Sequence, residues 1–240
     1  MNKRSHGILA IAFFLLGLAS PASADLSYSY FELSGIPLLD NTQQDPVGDG
    51  DVPLDGSSVG GTLSIAVHNN WHLILTANNE FQRSSNFLGL NHLGIQNDLD
   101  ADRTVASFVP HFNYRVFDGD AGRPQIDVFA GLGVQYARVE ARLNVDGDRS
   151  KNVATEFGVL VRAGARALVW RELELFGDFT GSNIGITRNE LFFNLGARYH
   201  FLADRVDLGI GVGVGTNDFV GLNLSGRIYY AEVWRQLFAD

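Results

Sequence analysis

Val206-Asp207-Leu208-Gly209-Ile210-Gly211-Val212-Gly213-Val214-Gly215 is the stretch that decides the fold. Its alternate positions are all branched aliphatics, and the positions between them are four glycines and one acid. A strand in a water-soluble protein hides its aliphatic face in a core, where an outer face of bare glycine would weaken it. A transmembrane barrel inverts the arrangement: aliphatics meet lipid, and small or polar residues meet a crowded lumen.

The same period of two runs along the chain. Val159, Val161, Ala163, Ala165 and Ala167 alternate with Leu160, Arg162, Gly164 and Arg166. Leu191, Phe193, Leu195, Ala197, Tyr199 and Phe201 alternate with Phe192, Asn194, Gly196, Arg198 and His200. Val128, Ala130, Leu132, Val134 and Tyr136 alternate with Phe129, Gly131, Gly133 and Gln135. The spacing predicts ten strands, with eight as the alternative: 25–34, 57–68, 71–83, 103–117, 125–142, 152–169, 172–182, 188–201, 205–215 and 218–231. Most reach the roughly nine to eleven residues a tilted strand needs to cross a bilayer. Pro110 falls mid-strand on the lipid face, where its missing N–H predicts a bulge.

Composition agrees. Twenty-seven glycines and 17 phenylalanines with no cysteine and one methionine favour strands over helices. The start of the chain reads as an export signal: Lys3 and Arg4, the apolar run Gly7 to Leu18, then Ala22-Ser23-Ala24 before a cleavage point. That run is too short to span a hydrocarbon core of roughly 30 Å. The expected organisation is thus a signal peptide over 1–24 and one barrel domain over 25–240. Losing Lys3 and Arg4 with the signal takes the formal charge from −9 to −11. Nucleic acid is excluded as a partner on that charge, since phosphate binding wants a basic face.

An even strand number puts both ends of the barrel on the periplasmic side, and the connections sort by parity. Those near 69–70, 118–124, 170–171 and 202–204 are short, while three of the opposite set, 35–56, 84–102 and 143–151, are long. Short periplasmic turns and longer outer loops are what transmembrane barrels show. Trp71, Trp170, Tyr199, Phe201, Tyr230 and Trp234 form one expected aromatic girdle, and Phe81, Tyr136, Phe157 and Phe179 the other.

On these grounds the chain resembles the small outer-membrane β-barrels of Gram-negative bacteria, the broad OmpA-like or porin-like superfamily. The resemblance covers the whole chain after the signal and is architectural. It implies export through the periplasm, an outer-membrane location, a monomer, and outer-membrane lipid and lipopolysaccharide as neighbours, with no cofactor. The chain departs from the family in its closing aromatic: Tyr229 and Tyr230 are followed by Ala231 to Asp240. The last strand therefore ends near Tyr230 or runs on through Trp234 to Phe238.

The lumen face carries opposite charges: Arg115, Arg162, Arg166, Arg198 and Arg227 against Asp127, Glu156, Glu174, Asp178 and Asp207, with His200 among them. Tight hairpins would set Arg115 against Asp127, Arg166 against Glu174, Arg162 against Asp178 and His200 against Asp207. Arginine suits such a site because its planar fork bonds carboxylates and stays charged when buried. Two roles fit: a lattice that fills a narrow lumen, or the lining of a narrow diffusion channel for small polar solutes.

A third reading, a lipid hydrolase of the outer membrane, needs a histidine near a nucleophile. His111-Phe112-Asn113 departs from the His-Phe-Ser-Asn stretch of the lipid A deacylase barrels at the serine, which removes that nucleophile. The outer loops are acidic, with Asp49 and Asp51 in the first, Asp98, Asp100 and Asp102 in the second, and Asp146 and Asp148 in the third. Such oxygen-rich loops are candidates for divalent cations, although Asp98-Leu99-Asp100-Ala101-Asp102 lacks the sixth-place glycine and twelfth-place acid of a calcium loop.

Overall fold

The structure is a computed structural model describing residues 29–44, 51–68, 70–85, 95–118, 124–170, 172–183, 190–201, 206–216 and 219–230. The expected signal segment 1–24, Asp49 and Trp234 lie outside the described residues. Ten strands follow in chain order: β1 Tyr30–Gln44, β2 Asp51–His68, β3 Trp71–Ser84, β4 Asn97–Asp118, β5 Gln125–Val145, β6 Asp148–Trp170, β7 Leu173–Ser182, β8 Glu190–Phe201, β9 Val206–Gly215 and β10 Val220–Ile228. Each pairs antiparallel with its chain neighbours, and β1 pairs with β10 to close the barrel. Closure leaves no free edge within the membrane, where an unpaired backbone group costs several kcal/mol.

The alternation sorts as the sequence indicates. Leu132, Leu195, Leu208 and Ile210 are more than half exposed on the outer wall. Inward-facing Ser64, Asp207, His111 and Val109 are almost wholly buried. No helix among the described residues is long and apolar enough to cross a membrane; the strands make the crossing. The glycines on the inner face provide space. A Cβ on Gly209 would lie 3.0 Å from Arg198 Cγ and 2.5 Å from Ser225 Oγ, so this glycine leaves room for an arginine stem.

Several strands run further outward than expected. β1 continues to Gln44 through a register shift that brackets Pro37, a usual place for proline in a sheet. β4 begins at Asn97 instead of near 103, and the expected third long loop, 143–151, is a tight turn at Asp146-Gly147 joining β5 to β6. Both residues have positive φ, 49° and 94°, as a two-residue type I′ hairpin requires. The physical reason is that above the lipid the outward face of a strand meets water and takes polar residues. Apolar alternation disappears there although the backbone ladder continues.

Pro110 produces no bulge. On either side of it Phe108 pairs with Val134 and His111 with Gly131, so the β4–β5 register is unbroken and no residue is inserted. The ladder simply drops out at Val109 and Pro110. β5 closes up through its inward glycines: a Cβ on Gly133 would meet Phe108 O at 2.1 Å.

At the periplasmic end β10 stops at Ile228, and Tyr229 and Tyr230 turn inward instead of joining the girdle. The Tyr229 hydroxyl donates to Asp207 at 2.8 Å and that of Tyr230 to the Ser64 carbonyl at 2.8 Å. The expected continuation to Phe238 lies outside the described residues. Trp71, Trp170, Tyr199 and Phe201 stay exposed at this end, and Phe81, Phe157 and Phe179 at the other.

Candidate functional site

Inward positions on seven strands supply one belt of alternating charge across the periplasmic half of the lumen. Arg115 on β4 donates to Asp127 on β5 at 3.0 Å. Asp127 lies 3.6 Å from Arg166 on β6, and Arg166 lies 3.9 Å from Glu174 on β7. Arg198 on β8 donates to Glu174 at 3.1 Å and reaches Glu32 on β1 at 3.6 Å. Arg227 on β10 completes the belt through Nε to Glu32. β8 and β1 are not neighbours, since β9 and β10 stand between them. The Arg198–Glu32 contact therefore crosses open lumen.

Aromatic rings carry the guanidinium planes. Arg198 lies 3.7 Å over the Phe176 ring and Arg227 4.1 Å over Tyr30. A guanidinium is weakly hydrated and stacks on ring faces, which makes it the cation best suited to this confinement.

Nearer the outer end Arg103 on β4 bridges Glu80 on β3 at 3.4 Å and Glu190 on β8 at 2.7 Å. In the ring order β5, β6 and β7 separate β4 from β8 on the shorter side, so Arg103–Glu190 is a strut between opposing walls. The sequence reading did not include Glu32, Glu80, Arg103 or Glu190 among the lumen charges. Glu32 and Glu80 carried a legible signal, because each alternates with outward Phe31 and Phe81. The Arg103–Glu190 pairing carried none.

One expected register and one expected partner are corrected. β6 pairs with β7 two residues away from the expected register, with a bulge between Leu168 and Trp170, so Arg166 faces Phe176 and Arg162 faces Thr180. The long arginines still reach their acids diagonally, with Arg162 3.4 Å from Asp178. His200 does face Asp207 across β8–β9, but Asp207 accepts from Tyr229 and His200 lies 3.4 Å from Glu174. Arg115 opposite Asp127 stands as expected. Glu156 faces inward above the belt and joins none of these ion pairs.

The acidic positions are not loops. Asp98, Asp100 and Asp102 lie on β4, with Asp100 2.7 Å from Arg83 and Asp102 3.5 Å from Arg142 on the outward surface. Asp146 sits in the hairpin turn and accepts from the Gln96 amide at 3.0 Å, and Asp148 opens β6. Asp51 is the first residue of β2. No group of three or more His, Cys, Asp or Glu suited to a metal ion occurs among the described residues. On the same outward surface Glu140 takes Lys151 at 2.7 Å and Arg142 at 2.6 Å. Hydrogen bonds from Lys151, then Arg142, lower its carboxyl to about 2.

A closed ten-stranded barrel with an apolar outer wall, an aromatic girdle at each rim and charges turned inward is a transmembrane β-barrel of the bacterial outer membrane. No protein-family model and no curated protein matches the chain. Among solved structures it is similar to the translocator domain of the autotransporter NalP from Neisseria meningitidis, with 11% identity, 93% of this chain and 97% of that chain covered, and a TM-score of 0.45. It is similar also to the outer membrane protein OprG from Pseudomonas aeruginosa, with 11% identity, coverage of 83% and 96%, and a TM-score of 0.42. A third is Ail, the attachment invasion locus protein of Yersinia pestis, at 10% identity, 83% and 97% coverage, and 0.38. These likenesses are loose, and the fold assignment stands on the strand pairing of the chain itself.

Proposed function

We propose that this barrel is closed by its own side chains and serves as a structural or surface-interaction element of the outer membrane, not as a channel or an enzyme. The Arg103–Glu190 strut carries the reading, because a conducting path would have to pass a part-buried ion pair joined across the lumen at 2.7 Å. A belt of paired opposite charges beneath it adds a second obstruction, and roughly ten strands enclose little more than their own side chains.

The surface role falls to β4, β5 and β6, which rise beyond the shorter β7 to β10. Their outward rows change from Phe108, Val134 and Val159 to Asp100, Arg142 and Lys151 going up the wall. The monomer would sit among outer-membrane lipid and lipopolysaccharide with this mixed-charge face at the headgroups. Catalysis lacks support because Asn113 occupies the place where the hydrolase resemblance needs a serine, and His111 is stacked on Phe129 with centroids 5.4 Å apart.

Single-channel recording of the folded protein in planar bilayers tests the reading. Silence is expected from a sample whose unboiled band migrates faster on a gel. Discrete, reproducible conductance in the wild type would refute closure and favour the narrow diffusion channel.

A further inference from the structure

In the periplasmic half of the lumen, beside the belt, lies a cavity of about 30 Å³. Four arginines line it, Arg162, Arg166, Arg198 and Arg227, against a single acid, Asp178. Ile74, Phe129 and Phe176 form the apolar part of its wall. A water occupies at least about 10–15 Å³ on this scale, so the space admits about two waters or one ion of three or four heavy atoms. It is too small for a sugar.

Polar atoms on the wall are left without protein partners. His111 and Asn113 both line the cavity and are only 1% and 5% exposed. His111 Nε2 and both amide atoms of Asn113 make no hydrogen bond to protein, and neither do Arg162 Nε, Arg198 Nε and Arg227 Nη1. Most of these are donors. A buried donor left unpaired costs its desolvation energy, so such a set calls for an acceptor. Asp127, Glu174 and Glu32 already balance Arg166, Arg198 and Arg227 in charge, so the preference for an anion rests on the unpaired N–H donors, and the apolar wall strengthens any charge–charge attraction inside.

We propose that this cavity is a binding site for a small planar oxyanion of the size of formate or nitrate, held by Arg162 together with Asn113 and His111. Arg162 spends Nη2 on Asp178 at 3.4 Å and keeps Nε for the ligand. The Asn113 amide supplies a neutral donor from β4 on the facing wall. The ligand completes the lattice without requiring a continuous path, so the inference stands apart from whether the lumen conducts.

The probe is sodium formate, compared with sodium chloride at matched ionic strength, and the readout is the thermal unfolding midpoint of the full mature chain folded in detergent. A ligand that binds only the native state raises that midpoint with a saturating concentration dependence. Formate is expected to do so and chloride not. Asn113→Ala should weaken the formate affinity about 3- to 10-fold, as loss of one neutral hydrogen bond implies. Arg162→Gln should weaken it more than about tenfold, because that bond is charge-assisted. Should Arg162→Gln fail to fold, Asn113→Ala with a ¹³C-formate line-broadening titration carries the test alone. Equal effects of the two salts would overturn the proposal, as would a formate response unchanged in Asn113→Ala. Conductance plays no part in this readout, so a wild-type current would refute lumen closure and leave the anion site to be judged separately.

Discussion

Arg103→Ala is the perturbation that bears most directly on the strut. It removes one cation from two carboxylates, Glu80 at 3.4 Å and Glu190 at 2.7 Å. Breaking a buried ion pair by deleting one partner costs about 3–5 kcal/mol, against about 0–1 kcal/mol for an exposed pair. The Arg103 and Glu190 side chains are 17% and 20% exposed, which places the expected loss near the lower end of the buried range, about 3 kcal/mol. Glu190→Ala should cost less, about 1–2 kcal/mol, because Arg103 keeps Glu80 as a partner. The double variant should fall short of the sum by more than about 0.5 kcal/mol, the mark of groups in contact. The assay is reversible urea unfolding of barrels folded into lipid vesicles, followed by the fluorescence of the three tryptophans. Losses that add within error would refute the claim that these residues meet across the lumen, whatever their individual sizes.

Pro110→Ala should change stability by less than about 1 kcal/mol, since the regained amide bond to β5 offsets the freer unfolded chain; a newly protected amide at position 110 in hydrogen exchange would mark the repaired ladder. Gly147→Ala should cost about 1 kcal/mol and sharpen proteolysis at the hairpin tip, because φ is 94° there while nothing lies within 4 Å to clash. Glu140 should titrate by NMR at about 2, and Lys151→Met should move it back toward the ordinary 4.5. Because its folded pKa is depressed, its pairing supports the hairpin above the ordinary carboxylate value and is lost as pH falls through about 2.

Where lipid and lumen press on opposite faces, the sequence was legible. Leu208, Ile210 and Val212 could face only lipid if Gly209 was to admit Arg198 and Gly211 the side chain of Asn194, and every membrane-crossing segment reads by the same logic. Legibility failed where that pressure ends. Asp98 to Asp102 and Leu143 to Lys151 run where the outward face meets water instead of lipid, so their polarity reads as loop although the ladder continues. The β6–β7 register turned on a bulge beside Trp170 that side-chain pattern does not encode. The belt's arginines announced themselves by type and parity. So did Asp127 and Glu174, but the strut did not, because Arg103 and Glu190 are 87 residues apart in the chain. Only the closure and stagger of the barrel bring them together.

The unequal strand lengths make the rim of this barrel oblique. β6 leaves its pairing with β7 at Leu160 and continues up to Asp148, still paired with β5 along its whole length. About twelve residues at about 3.3 Å each, tilted near 40°, raise that hairpin about 30 Å above the last pair that β6 makes with its neighbour β7. A cell bearing the protein would therefore display a leaning blade with a front and a back, not a symmetric collar. An antibody or phage that approaches through the sugar layer would meet the Asp146-Gly147 tip before the described ends of β7 to β10, so among the described residues that turn is the one most open to recognition, or to escape from it by mutation.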